Sequence, residues 1–213
     1  MQKHDRKLRA CAAILAAVLS PALGAAVVNG DFETGDTGFM TDYMTGDCLN
    51  FLQCYGVATS PNNVNHNYAS FGDHTTGTGM MMVVNGAETA DQTVWQQTVS
   101  VTANTAYEFS AWIASAYFLS PAGLEFSVNG SLVGSMTAPL PTGTWQQAVF
   151  AWNSGAATTA VLRIVDANLD YTGNDFVLDD IGFSQVVPIP AAAWLFLSAA
   201  GLLGCARNRG AAT

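Results

Sequence analysis

Four candidate ligand carboxylates stand in two short motifs far apart in the chain. Asp31 and Glu33 lie in Asn29-Gly30-Asp31-Phe32-Glu33, and Asp179 and Asp180 lie in Gly173-Asn174-Asp175-Phe176-Val177-Leu178-Asp179-Asp180-Ile181. Carboxylates brought close together repel one another unless a cation neutralises them, and calcium, a hard ion that takes oxygen ligands, is the expected partner. The adjacent aspartates have a second consequence. Strand alternation puts Val177, Asp179 and Ile181 on one face and Leu178 and Asp180 on the other, so one aspartate is expected to face the core, where an unpaired charge is costly. Asp73, in Gly72-Asp73-His74-Thr75-Thr76-Gly77, is a weaker ligand candidate, because that segment also reads as a plain loop.

Two other residue types could do chemistry. Cys48 and Cys54 stand six positions apart in a stretch rich in Gly, Asp and Asn, and in an oxidising compartment such a pair is expected to close a small disulfide loop. A zinc site is disfavoured, since no second ligand pair accompanies them. The histidines of the central region, His66 and His74, belong to no recognisable nucleophile motif or zinc spacing. The chain is therefore expected not to be an enzyme, with an uncharacterised hydrolase as a remote alternative.

These residues sit between two segments of different composition. Lys3, Arg6, Lys7 and Arg9 precede an apolar run, Ala10 to Leu19, followed by small residues at Ala22, Gly24, Ala25 and Ala26. This is the layout of a secretory signal peptide, assigned to residues 1–26. At the other end, Val187-Pro188-Ile189-Pro190-Ala191 leads into an uncharged stretch reaching Ala206, then Arg207 and Arg209. The stretch is just below the roughly 17 to 25 residues of a spanning helix, and the arginines would favour the cytoplasmic side. Residues 186–213 are expected to form a C-terminal membrane helix with a short basic tail. The order of the segment resembles the PEP-CTERM class of bacterial sorting signals in its Val-Pro-Leu-Pro-Ala variant, with Ile189 in place of leucine. That resemblance implies export, recognition by an exosortase-like membrane protease, and either anchoring in the inner membrane or release to the cell surface.

Residues 27–185 hold fifteen of the sixteen acidic residues and only Arg163 of the seven basic ones, a net charge of −14. A surface this acidic repels nucleic acid and anionic lipid. Its periodicity is two: Tyr107, Phe109, Ala111 and Ile113 share a face, and Leu124, Phe126 and Val128 alternate with Glu125 and Ser127. Asn129-Gly130 then supplies a tight hairpin turn. Further strands are expected over residues 92–101, 132–136, 145–152, 160–166 and 175–183, with no helical stripe. The expected fold is an all-β sandwich of jelly-roll type in one domain.

The order of short motifs in this region resembles the galactose-binding-like jelly roll of carbohydrate-binding modules. The matching residues are Asn29 to Glu33, Gly72 to Gly77, Trp95 with Val99 and Val101, Asn104 to Tyr107, Thr144-Trp145, and Gly173 to Ile181. The resemblance implies that the first and last strands lie together with a structural calcium at their junction, held by Glu33, by Asp179 or Asp180, and by carbonyls near Asp31. It also implies association with extracellular polysaccharide. Sugar rings would stack on an exposed aromatic, for which Trp112 is the best single candidate because it shares its strand face with Glu108 and Ser110. The alternative is a structural or adhesive surface protein that binds other proteins and has no sugar site.

Overall fold

The computed structural model describes residues 26–46 and 48–186. The segment expected to be a signal peptide, up to Ala25, the Val187 to Ala191 motif and the apolar C-terminal stretch lie outside these residues. Ten strands form the domain: β1 (Met44–Thr45), β2 (Cys54–Ala58), β3 (Met81–Asn85), β4 (Thr93–Ser100), β5 (Ala106–Ser115), β6 (Gly123–Val128), β7 (Ser131–Thr137), β8 (Gln146–Asn153), β9 (Thr159–Asp166) and β10 (Phe176–Gln185). They make a six-stranded sheet in the order β1-β2-β3-β10-β5-β8 and a four-stranded sheet in the order β4-β9-β6-β7. Apart from β1 with β2, all neighbours are antiparallel.

Alternating side chains build the core between the sheets. Tyr107, Phe109, Ala111 and Ile113 of β5 meet Leu124, Phe126, Leu162 and Ile164 of the smaller sheet, all of them buried. Trp95 of β4 is fully buried against Phe109. Asn129 and Gly130 both have positive φ, 51° and 76°, and turn β6 into β7 as their types require. β3 differs from the other strands. All five of its residues are buried, because loop 60–72 covers the outward face of the larger sheet there: Tyr68, Val64 and Phe71 pack on Met81, Val83, Ala114 and Val177.

The opening motif closes on the last strand. The backbone N–H of Ile181 donates to the carbonyl of Gly30 at 2.9 Å. A Cβ on Gly30 would stand 2.0 Å from the Ile181 carbonyl oxygen, so only glycine allows this approach. Phe32 then drops into the core, fully buried.

The expected alternation along β10 breaks between Asp179 and Gly182, where the register with β5 shifts. Leu178 and Ile181 both reach the main core, whereas Asp179 pairs across from Trp112 and shares its outward face. Asp180 has φ 46° and forms the bulge. Neither aspartate enters the core, which corrects the expectation from alternation: one extra residue lets both carboxylates project outward.

Candidate functional site on the larger sheet

The site is built on the rung Gln147–Trp112–Asp179 across β8, β5 and β10. Loop 72–79 folds over this rung. It closes so tightly that a Cβ on Gly72 would lie 2.0 Å from the Gly77 carbonyl oxygen. Asp73 organises its interior. Its carboxylate accepts hydrogen bonds from the N–H groups of Thr76 at 2.8 Å and Gly79 at 2.6 Å, and from the Thr76 hydroxyl at 3.0 Å. Burial pushes the Asp73 carboxyl up, but these donors outweigh burial and hold it below its ordinary value.

The loop delivers His74 onto Trp112. The two rings stack with centroids 3.6 Å apart at 15°, and the Trp145 ring meets His74 edge-on at 5.9 Å. Both aspartates anchor the histidine. Its backbone N–H donates to Asp179 Oδ2 at 2.9 Å, and its Nδ1 lies 2.7 Å from Asp180 Oδ2. Asp180 also accepts from the Thr75 hydroxyl at 2.5 Å. Asp179 is only 1% exposed beneath this loop. Burial raises its carboxyl to about 7, against the hydrogen bonds from His74 and Asp180 and with a smaller push from the Asp180 and Asp73 charges.

Asp179, Asp180 and Trp112 therefore meet in one place, joined by His74. Trp112 has one face occupied by that histidine, so it is a platform beneath the ring rather than an open stacking surface. Glu33 contacts the same loop, accepting from the Met80 N–H at 2.8 Å. Asp31 is exposed and its recorded contact is a 3.4 Å bond from the N–H of Glu33. Among the described residues no group of three or more His, Cys, Asp or Glu side chains is placed to hold a metal ion. N–H and hydroxyl donors of loop 73–80 reach Glu33, Asp179 and Asp180. A disulfide joins Cys48, in the loop before β2, to Cys54, the first residue of that strand.

His74 was the residue that sequence reasoning passed over. The signal was in the sequence, as a histidine inside a Gly-bounded segment next to an acidic residue, but nothing there placed that segment over Trp112, 38 positions away.

No protein-family model matches this chain, and no curated protein matches it. Solved structures share its fold. The CBM22-1 xylan-binding domain from Paenibacillus barcinonensis aligns with a TM-score of 0.50 and 14% identity over 78% of this chain and 97% of that one. A tandem of two such domains from the same organism aligns at 0.51 and 15% identity, with this chain spanning 48% of its length. A Stig cyclase, Fisc, from Fischerella sp. TAU aligns at 0.55 and 11% identity over 78% and 99% of the two chains. At these identities the likeness establishes the jelly-roll sandwich, a fold that hosts both sugar-binding domains and cyclases.

Proposed function

We propose that this chain is a non-catalytic, exported surface or matrix protein that binds extracellular polysaccharide on the outward face of its larger sheet. The observation behind the reading is the ring cluster His74, Trp112 and Trp145 rimmed by Asp180, Thr75 and Gln147. A pyranose offers apolar C–H faces to rings and hydroxyl edges to carboxylates and amides, and this rim supplies both kinds of partner. The fold shared with a xylan-binding domain supports the same reading. In this proposal the C-terminal segment from Val187 onward is sorted by an exosortase-like protease and holds the domain at the cell envelope until release. In the same proposal a structural calcium at Glu33 and Asp179 or Asp180 would stabilise the jelly roll.

Affinity electrophoresis of the full-length protein in mild detergent tests this, with gels containing xylan, mannan, β-glucan or exopolysaccharide from the producing cells. At least one polymer is expected to retard the protein, and Trp145→Ala or Gln147→Ala is expected to weaken that retardation. Unretarded migration in every gel would overturn the reading and leave a protein-binding surface protein as its successor. Release of reducing sugar in the same incubations would identify a hydrolase.

A further inference from the structure

The same sheet face has a second concavity at its other end, of about 190 Å³, lined among others by Asn67, Tyr68, Tyr117, Tyr171, Thr172 and Asp175. It is separate from the His74 site. Asp175, just before β10, and Val177 and Asp179 within it alternate outward, so the two sites are about 13 Å apart. Between them Val177 is roofed by Tyr68 and flanked by Phe71 and Tyr117.

The concavity is built, not a gap left by chance. Asn65 and Asn85 both donate to the Cys48 carbonyl at 2.9 Å, and Asn85 also reaches the Phe51 carbonyl. The disulfide closes the loop they hold. On the opposite wall, Asn168 donates to the carbonyls of Ser120 and Pro121, which fixes the Tyr117 loop beside the Tyr171 loop. At the base, Asp175 is 7% exposed and accepts the Tyr68 hydroxyl at 2.8 Å. Tyr171, by contrast, is 70% exposed. Asn67 is exposed, and its side-chain amide makes no hydrogen bond among the described residues.

Tyrosine rings beside a free amide, a hydroxyl and a deep carboxyl fit a polyhydroxylated ring. The volume is below the roughly 300 Å³ at which pockets for drug-sized ligands begin, which suits one sugar unit and not a chain. None of the lining residues is cationic, so nothing there balances a uronate or sulfate. Burial lifts the Asp175 carboxyl to about 7, against the Tyr68 hydrogen bond, which keeps charge low at the base. The pocket also faces the right way. β10 begins beside it and runs ten residues to Gln185, about 33 Å, so the last described residues stand at the far end of the sandwich.

We propose that this pocket binds a single neutral pyranose, the terminal unit of a glycan presented away from the surface that holds the protein. The site stands apart from the sheet-face reading, and either can fail without the other. Saturation-transfer NMR on the full-length protein in a sugar-free zwitterionic detergent would test it, with the methyl pyranosides of glucose, galactose, mannose and xylose as probes and methyl glucuronide as the acidic comparison. At least one neutral glycoside is expected to receive saturation. Tyr171→Ala and Asn67→Ala, both at exposed positions, are expected to weaken its binding roughly tenfold, while Trp145→Ala leaves it unchanged and the two pocket variants leave polymer retardation intact. Silence from every neutral glycoside, equal binding by both pocket variants, or a preference for methyl glucuronide would overturn the proposal.

Discussion

Asp166 has the one buried carboxylate oxygen without a hydrogen-bond partner among the described residues. It is 3% exposed, and its Oδ1 accepts from the N–H groups of Gly123 and Asn168 while Oδ2 has no partner among the described residues. Burial raises it to about 7 against those two hydrogen bonds. A carboxyl moved that far from its ordinary 3.8 costs up to roughly 4 kcal/mol of stability once it ionises. Asp166→Asn keeps an oxygen acceptor and removes the ionisation. The variant is expected to raise Tm most at pH 8, less at pH 5 and little near pH 3.5, as thermal unfolding in the three buffers will read. Calcium is also a question for single residues. If Glu33 and Asp179 or Asp180 hold a structural calcium as proposed, Tm is expected to be higher in calcium than in EDTA. An equal Tm in the two buffers would remove the ion from those carboxylates.

Among the elements, the disulfide loop and the opening motif have the most direct consequences. Cys48 and Cys54 close a loop of seven residues, and reduction is expected to cost about 2 kcal/mol by loop-closure entropy. It should also free the Asn65 and Asn85 contacts that shape the tyrosine pocket, so denaturant unfolding with and without reductant will measure the loss. Gly30→Ala forces a Cβ onto the Ile181 carbonyl and is expected to destabilise by about 1–3 kcal/mol, lowering the denaturant midpoint without changing the fold. Legibility differed by element for physical reasons. β5 to β10 have one face on the core, so their period of two shows in the residues, and residues 106–113, 124–128 and 160–166 read as strands within one or two positions of their ends. β3 is Met81-Met82-Val83-Val84-Asn85, buried on both faces, and has no alternation to read. β1 is two exposed residues, and no sequence signal marks it.

For the whole molecule, charge and burial act in the same direction. Asp166, Asp175 and Asp179 are all raised to about 7 by burial. Each holds its proton in the fold across a range where the unfolded chain has lost it. The stability they contribute is therefore complete below about 3.8 and is lost as pH rises through about 7. Asp42 and Asp73 are lowered. Asp42 is held down chiefly by hydrogen bonds from Thr93, and in Asp73 the donors of the loop outweigh burial, so their contribution is lost only at pH below the ordinary carboxylate range. Self-repulsion among fifteen carboxylates and one arginine adds to the first effect. Tm is expected to be higher at pH 5 than at pH 8, and moderate salt should raise it at pH 8 by screening. A Tm that rises from pH 5 to pH 8 would show that the buried aspartates are compensated by something other than the hydrogen bonds described.

The residues alone determined what depends on local rules: the alternation that makes a sandwich, the Asn129-Gly130 turn, the spacing of Cys48 and Cys54, and the acidity of residues 27–185. They also singled out Asp179 and Asp180 as metal-ligand candidates and, separately, Trp112 as a stacking candidate. Only the tertiary structure decided what joined them. The β10 bulge turned both aspartates outward, loop 72–79 laid His74 on Trp112, and the loops at residues 117–121 and 168–174 brought Tyr117 and Tyr171 to one pocket. Each of these depends on contacts between residues from 38 to more than a hundred positions apart. Propensity and periodicity act over a few residues, so they fix strands and turns, whereas a site assembled from several loops exists only once the packed sheets hold those loops side by side.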